Sequence, residues 1–159
     1  MILHTKHSIK NGNLKQSGIE PPDNWKDLQQ VRRVTKELAG KECSKIINNG
    51  ITVDGKNYSL NDHDQTELLG QMSAIQQGAA GVPYHADGEL CRIYPAAEFI
   101  VVANAAMAHI FYHRTYCNHL NAWIKRATLK QLNEISYGVQ LPDDLAESMS
   151  IILNAGGSA

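Results

Sequence analysis

The sequence predicts an α+β fold that is mainly helical, with one long central helix packed with shorter helices and two small β-hairpins. Three observations predict it. Residues 95–127 carry apolar side chains at alternating steps of four and three: Phe99, Ala103, Ala106, Ile110, His113, Cys117, Leu120 and Ile124. Two Asp-Gly pairs, Asp54-Gly55 and Asp87-Gly88, lie between short runs of strand-forming residues. Other stretches show helical spacing that ends at Asn49-Gly50, Gly78 and Tyr137-Gly138.

Taken in order, the first 23 residues are polar and carry turn signals at Asn11-Gly12, Ser17-Gly18 and Pro21-Pro22. They read as an N-terminal arm, with ILHTKHSI able to form a short strand, ordered where it docks. A single helical domain follows over residues 24–155, and residues 156–159 form a flexible tail. Trp25, Leu28, Val31, Val34, Leu38 and Ile46 give the helical spacing of a first helix over about 24–48. ITV, Asp54-Gly55 and KNYSL form the first hairpin, because Asp-Gly tolerates the positive φ of a two-residue turn. Asn61 caps a second helix, with Asp62 and Asp64 favoured at the positive end of its dipole. VPYHA and ELCRIY flank Asp87-Gly88 as the second hairpin. The long helix then starts with Pro95 in its first turn, where a missing N–H costs nothing. Thr128 caps a short helix through Ile135, and Leu141-Pro142-Asp143 restarts a last one over about 144–153.

At about 1.5 Å per residue the long helix would run to roughly 48 Å, against about 30 Å for the diameter of a compact domain of this size. A second stripe lies beside the first: Val102, Ala105, His109, Tyr112, Tyr116, His119 and Trp123. A helix apolar on two sides wants two neighbours. We expect one stripe to pack on the chain's own elements and the other on a second subunit or a ligand, making the protein a homo-oligomer.

Composition excludes more than it selects. The 159 residues are 43% hydrophobic and 19% charged, with a net charge of −1. That balance disfavours electrostatic capture of nucleic acid. No apolar run approaches the length of a membrane span, and the N-terminus lacks a signal-peptide pattern. Cys43, Cys91 and Cys117 are odd in number and lack CxxC spacing, which reads as core thiols in a reducing compartment.

YHADGELCRIYPAAEF, YHRTYCNHLNAWI and YGVQLPDD together resemble a C-terminal domain of unknown function found in phage and prophage proteins of Gram-positive gut bacteria. VTKELAGKECSKIINNGITV and YSLNDHDQTELLGQMSAIQQG extend the resemblance to roughly residues 28–153. That domain is often attached to tail or tail-fibre components, so the resemblance implies a tail role. Only a short arm precedes it here, which points instead to a free-standing protein in the host bacterial cytoplasm.

Catalysis is not expected. His109, His113 and Cys117 recur at steps of four, and His85 or Cys91 could complete a zinc site. Without HExxH or a second clustered pair, we assign neither metal nor cofactor. A Cys117–His113 nucleophile would sit mid-helix with no evident oxyanion donors. No phosphate-binding glycine loop or dinucleotide fingerprint is present. The candidate ligand-binding residues are Tyr84 and His85 on the hairpin with His109, Tyr112, His113, Arg114, Tyr116, Asn118 and Trp123 on the helix. Rings that also hydrogen-bond, beside an arginine, suit a nucleobase with its phosphate. The same residues also suit a doubly packed helix or a subunit interface. Two expectations follow. One is a non-enzymatic oligomeric sponge for a nucleotide-type signal of host antiviral defence; the other is a structural or assembly part of the phage tail.

Overall fold

Residues 28–156 are described by a computed structural model. In chain order they form α1 (Leu28–Asn49), β1 (Ile51–Val53), β2 (Lys56–Tyr58), α2 (Asp62–Gln76), β3 (Gly81–Tyr84), β4 (Arg92–Pro95), α3 (Ala96–Arg126), α4 (Leu129–Leu132) and α5 (Asp143–Gly156). The fold is α+β and mainly helical, with one long central helix and two separate two-stranded antiparallel sheets. The expected arm, its short strand, the start of the first helix at Asn24 and residues 157–159 of the tail lie outside the described residues. Among the described residues, no helix is long and apolar enough to cross a membrane.

Contacts divide the described chain into two units. One is Ser44–His113; the other joins the residues up to Cys43 to those from Arg114 onward. In the Ser44–His113 unit, α1 ends at Gly50, whose φ of 78° supplies a left-handed cap that glycine adopts without strain. Asp54 (φ 50°) and Gly55 (φ 76°) then make the tight turn of the first hairpin, with Ile51 paired to Tyr58 and Val53 to Lys56. Asn61 accepts from the Asp64 backbone N–H at 3.0 Å while the Asp64 carboxylate accepts from Asn61 N–H at 3.0 Å. This reciprocal capping box satisfies two donors that would otherwise be orphaned at the start of α2.

The second hairpin differs from its sequence reading. Pairing runs from Gly81↔Pro95 to Tyr84↔Arg92, so residues 85–91 form a loop rather than continuing both strands to Asp87-Gly88. The reason lies in Asp87, whose carboxylate accepts from Ser59 N–H at 3.0 Å and Ser59 Oγ–H at 2.7 Å. Its own N–H donates to Asn57 O at 2.8 Å, so the loop is tied to the end of the first hairpin. Pro95 likewise belongs to β4, not to the first turn of the long helix, because the ladder continues through Ala96 N–H to Ala80 O at 2.9 Å. Between the hairpins and the first half of α3, Tyr58, Leu60, Leu68, Val82, Tyr94 and Phe99 close a core. The Tyr58 and Tyr94 hydroxyls bond each other inside it at 3.1 Å.

In the other unit Leu120, Ile124, Leu132 and Ile135 are almost wholly buried, with Val31 and Ala39 of α1 and Met149 of α5 in the same cluster. Arg126 holds Asp144 through two hydrogen bonds, at 2.7 and 2.6 Å, joining the end of α3 to the start of α5. Thr128 and Gln131 form the capping box of α4.

The two stripes of the long helix are not divided as expected. The first is core, with Phe99, Ala103, Ala106 and Leu120 at 0% exposure. The second is also largely covered by the chain itself, since Val102, Tyr116 and His119 are buried. His119 is held by Thr115 O at 2.8 Å and Ser148 Oγ at 3.1 Å. The apolar surface left over lies at Val101 (55% exposed) and Met107 (45%), outside both stripes, and at Tyr112 (48%) of the second. A stripe read from periodicity names a face but not its partner, and short following helices cover faces that a lone helix would show.

Candidate functional site

The histidines and cysteine at steps of four do not act as one set. His109 and His113 pack edge to face with ring centroids 4.6 Å apart, and Tyr112 meets His113 at 5.1 Å. His109 Nε2 bonds Ile46 O at 3.0 Å. Burial, then the neighbouring His109, holds His113 below the ordinary imidazole value of 6.5. The unfolded chain therefore takes up this proton first, and stability contributed by neutral His113 is lost as pH falls through that range. Acid titration of the melting temperature should show a decline below pH about 6.5 that flattens in His113→Gln. Cys117 pairs instead with Cys43, and its thiol is pushed up to about 11, chiefly by burial. Cys43 is buried and Cys91 exposed, so alkylation read by mass spectrometry should modify Cys91 first and leave the other two protected. Among the described residues, no group of three or more His, Cys, Asp or Glu has a metal-holding arrangement.

The residues proposed for ligand binding fall into three places. Tyr84 is 96% buried by difference from its 4% exposure, with its ring against Tyr58 at 6.2 Å and Phe99 at 5.2 Å. His85 is exposed beside it, and neither ring contacts those of His109, Tyr112 or His113. Those three form the second place, half-buried to exposed on α3. Arg114, Tyr116, Asn118 and Trp123 belong to the other unit. There Tyr116 is committed to structure: its hydroxyl donates to Val139 O at 2.6 Å and accepts from Gly138 N–H at 3.0 Å. Arg114 and Asn118 are exposed.

Trp123 stands apart. Its Nε1 is buried with no hydrogen-bond partner, and so is Nε of Arg32 in the same unit. Both are donors only, and a buried donor without an acceptor costs about 1–3 kcal/mol. Arg32 reaches the end of α3 through its other nitrogen, which donates to Ala127 O at 3.0 Å. Sequence reading missed Arg32 because its neighbours Leu28 and Val31 mark that face of α1 as core, and nothing local signals an arginine folded onto it.

A shallow cleft opens beside Tyr84, with about 230 Å³ of space counting what is continuous with solvent. Its enclosed part has room for about one water. Tyr84, His85 and Tyr58 line it together with the carboxyl groups of Asp64, Glu67 and Asp87. The tyrosine and histidine were visible in the sequence; the three acids were not seen as one group, because bonds from Asp87 to Ser59 and Asn57, distant in sequence, hold the loop at the end of the first hairpin, just ahead of α2.

Neither a curated protein nor a solved structure matches the chain. A family model matches residues 30–137, more than half of the length, and the chain therefore belongs to the family described as a domain of unknown function, DUF4376.

Proposed function

We propose that the chain is a non-enzymatic, phage-encoded binding protein that acts as a homo-oligomer and sequesters a nucleotide-type signal of host antiviral defence. The observation that carries this reading is the pair of buried, unsatisfied donors, Arg32 Nε and Trp123 Nε1. Buried donors are retained at a cost when something supplies the acceptor, and phosphate or ribose oxygens on a ligand that stacks on an indole would supply it. In the other unit, the rings of His109, Tyr112 and His113 form a stacking surface of their own, with His113 kept neutral. Val101 and Met107 on the same helix are exposed apolar side chains that a second copy would cover.

Trp123→Phe tests the reading. It keeps most of the ring and removes the unpaired N–H, so stability should hold or rise by about 1 kcal/mol. Capture of cyclic nucleotides or cyclic ADP-ribose, measured by calorimetry, should weaken about tenfold, the equivalent of one lost hydrogen bond to a charged group. Absence of binding to all of these in the unmodified protein, with no nucleotide released on heating, overturns the proposal. The second reading, a structural or assembly part of the phage tail, is favoured by the same exposed apolar side chains, Val101 and Met107. Its mark would be the protein in purified particles and arrested tail assembly on deletion.

A further inference from the structure

Two thiols that meet between α1 and α3 carry an inference independent of the nucleotide reading. We propose that Cys43 and Cys117 form a redox-sensitive latch, a disulfide that fastens α1 to α3 when a peroxide is present. Both cysteines belong to the same unit. Contacts that involve neither sulfur set the register of the two helices. Arg32 donates to Ala127 O at 3.0 Å, and Val31 and Ala39 share a core with Tyr116, Leu120 and Ile124. Cys43 lies eleven residues beyond Arg32 on α1, and Cys117 lies ten residues before Ala127 on α3. At about 1.5 Å per residue those spans are about 16 Å and about 15 Å, so antiparallel packing brings the thiols level. Cys43 is hydrogen-bonded to the Cys117 thiol and to the Tyr137 hydroxyl. Tyr137 is itself held by the Tyr116 ring, with centroids 5.0 Å apart. From the other side Asn121 Nδ2 donates to Cys117 Sγ at 3.8 Å. Polar groups thus converge on one pair of sulfurs.

Hydrogen peroxide is small enough to reach Cys117, which is half-buried, whereas Cys43 is buried. The Cys117 thiolate attacks one peroxide oxygen, the O–O bond breaks, and the released hydroxide joins the thiol's proton as water. Cys117 is left as S–OH. Asn121 offers that hydroxyl an acceptor, because its Oδ1 is buried with no partner. The Cys43 sulfur then attacks Cys117 Sγ, the S–O bond breaks, and hydroxide leaves with the Cys43 proton as a second water. Two thiols are oxidised to one disulfide while one peroxide is reduced to two waters. Burial holds the Cys117 thiol up to about 11, so at neutral pH about one molecule in 10⁴ carries the thiolate. The latch is therefore slow to set and answers sustained oxidant rather than a brief pulse. Once set, it opposes separation of the helices that carry Arg32 and Trp123, with or without a ligand.

The test is prolonged exposure of full-chain Cys91→Ser to hydrogen peroxide at neutral pH, which removes the exposed thiol from the reaction. Products are read by non-reducing gel and by peptide mapping in the mass spectrometer. We expect the Cys43 and Cys117 peptides to be joined in a species of single-chain size, and to be released by dithiothreitol. The melting temperature should rise by roughly 5–10 °C on oxidation, because the cross-link ties residues 74 positions apart in the unfolded chain. Dithiothreitol should reverse the rise. Cys91→Ser combined with Cys117→Ser, treated alike, should show neither change and reports what methionine oxidation does alone. Should that variant fail to fold, Cys91→Ser before and after dithiothreitol decides the matter by itself. Cys117 driven to sulfinic acid while Cys43 keeps its thiol would overturn the proposal. So would a cross-link that forms only in urea, one that joins two chains, or one that lowers the melting temperature.

Discussion

Gly50→Ala is expected to cost at least about 3 kcal/mol, more than any other single methyl added at a described glycine. A Cβ built there would lie 1.7 Å from Tyr58 O, 2.7 Å from Tyr58 C and 2.9 Å from Ser59 Cα. All three are backbone atoms, so no side-chain rotation relieves the overlap. The φ of 78° adds the left-handed penalty of about 1–2 kcal/mol. The close approach exists because the end of α1 is tied to the strand that follows the turn, with Leu60 N–H on Asn48 O at 3.1 Å. Spreading the two would disturb Tyr58 and Leu60, both core residues. Gly55→Ala is the control: its φ is 76°, but no heavy atom lies within 4 Å of the added carbon, so only the backbone term of about 1 kcal/mol remains. Thermal melts should place Gly50→Ala roughly 6–12 °C below the unmodified protein and Gly55→Ala roughly 2–4 °C below it.

The second large effect is expected for Tyr116→Phe, and it separates structure from binding. Removing the hydroxyl leaves Val139 O and Gly138 N–H without their partner, at a cost of about 2 kcal/mol for the two bonds. The ring stays in place against Tyr137, with centroids 5.0 Å apart. Stability should fall, and the melting temperature with it by roughly 4–8 °C. Ligand capture by the folded fraction should be unchanged, in contrast to Trp123→Phe. If Tyr116→Phe loses binding without losing stability, the hydroxyl serves a ligand and its bonds to the Gly138–Val139 turn are incidental.

These two residues also show how far the sequence could be read. Gly50 was legible: Asn-Gly after a helical stripe is a local signal, and the capping and tight-turn geometry at Asn61 and Asp54-Gly55 is equally local. Elements and their order followed from such signals. Tyr116 was not legible, because its partners lie 22 and 23 positions away, in a turn that Tyr137-Gly138 marks as a stop without showing what it meets. Asp87 was half legible. Its neighbour Gly88 marked a turn, but the carboxylate's bonds to Ser59, 28 positions earlier, decide where the strands stop and put three acids around one cleft. Tyr84 shows the same limit in reverse, since alternation along GVPY does not say that its ring is core while its oxygen remains unpaired. Periodicity fixes which side of an element is apolar; which polar tips are spent and which are left wanting depends on contacts distant in sequence.

Native mass spectrometry of the purified protein decides whether α3 serves a shared assembly that holds a small ligand, as proposed. The expected result is an oligomer carrying bound nucleotide-sized mass that is released on denaturation, with assembly weakened in Val101→Asp. A monomer at micromolar concentration with no added mass would contradict it.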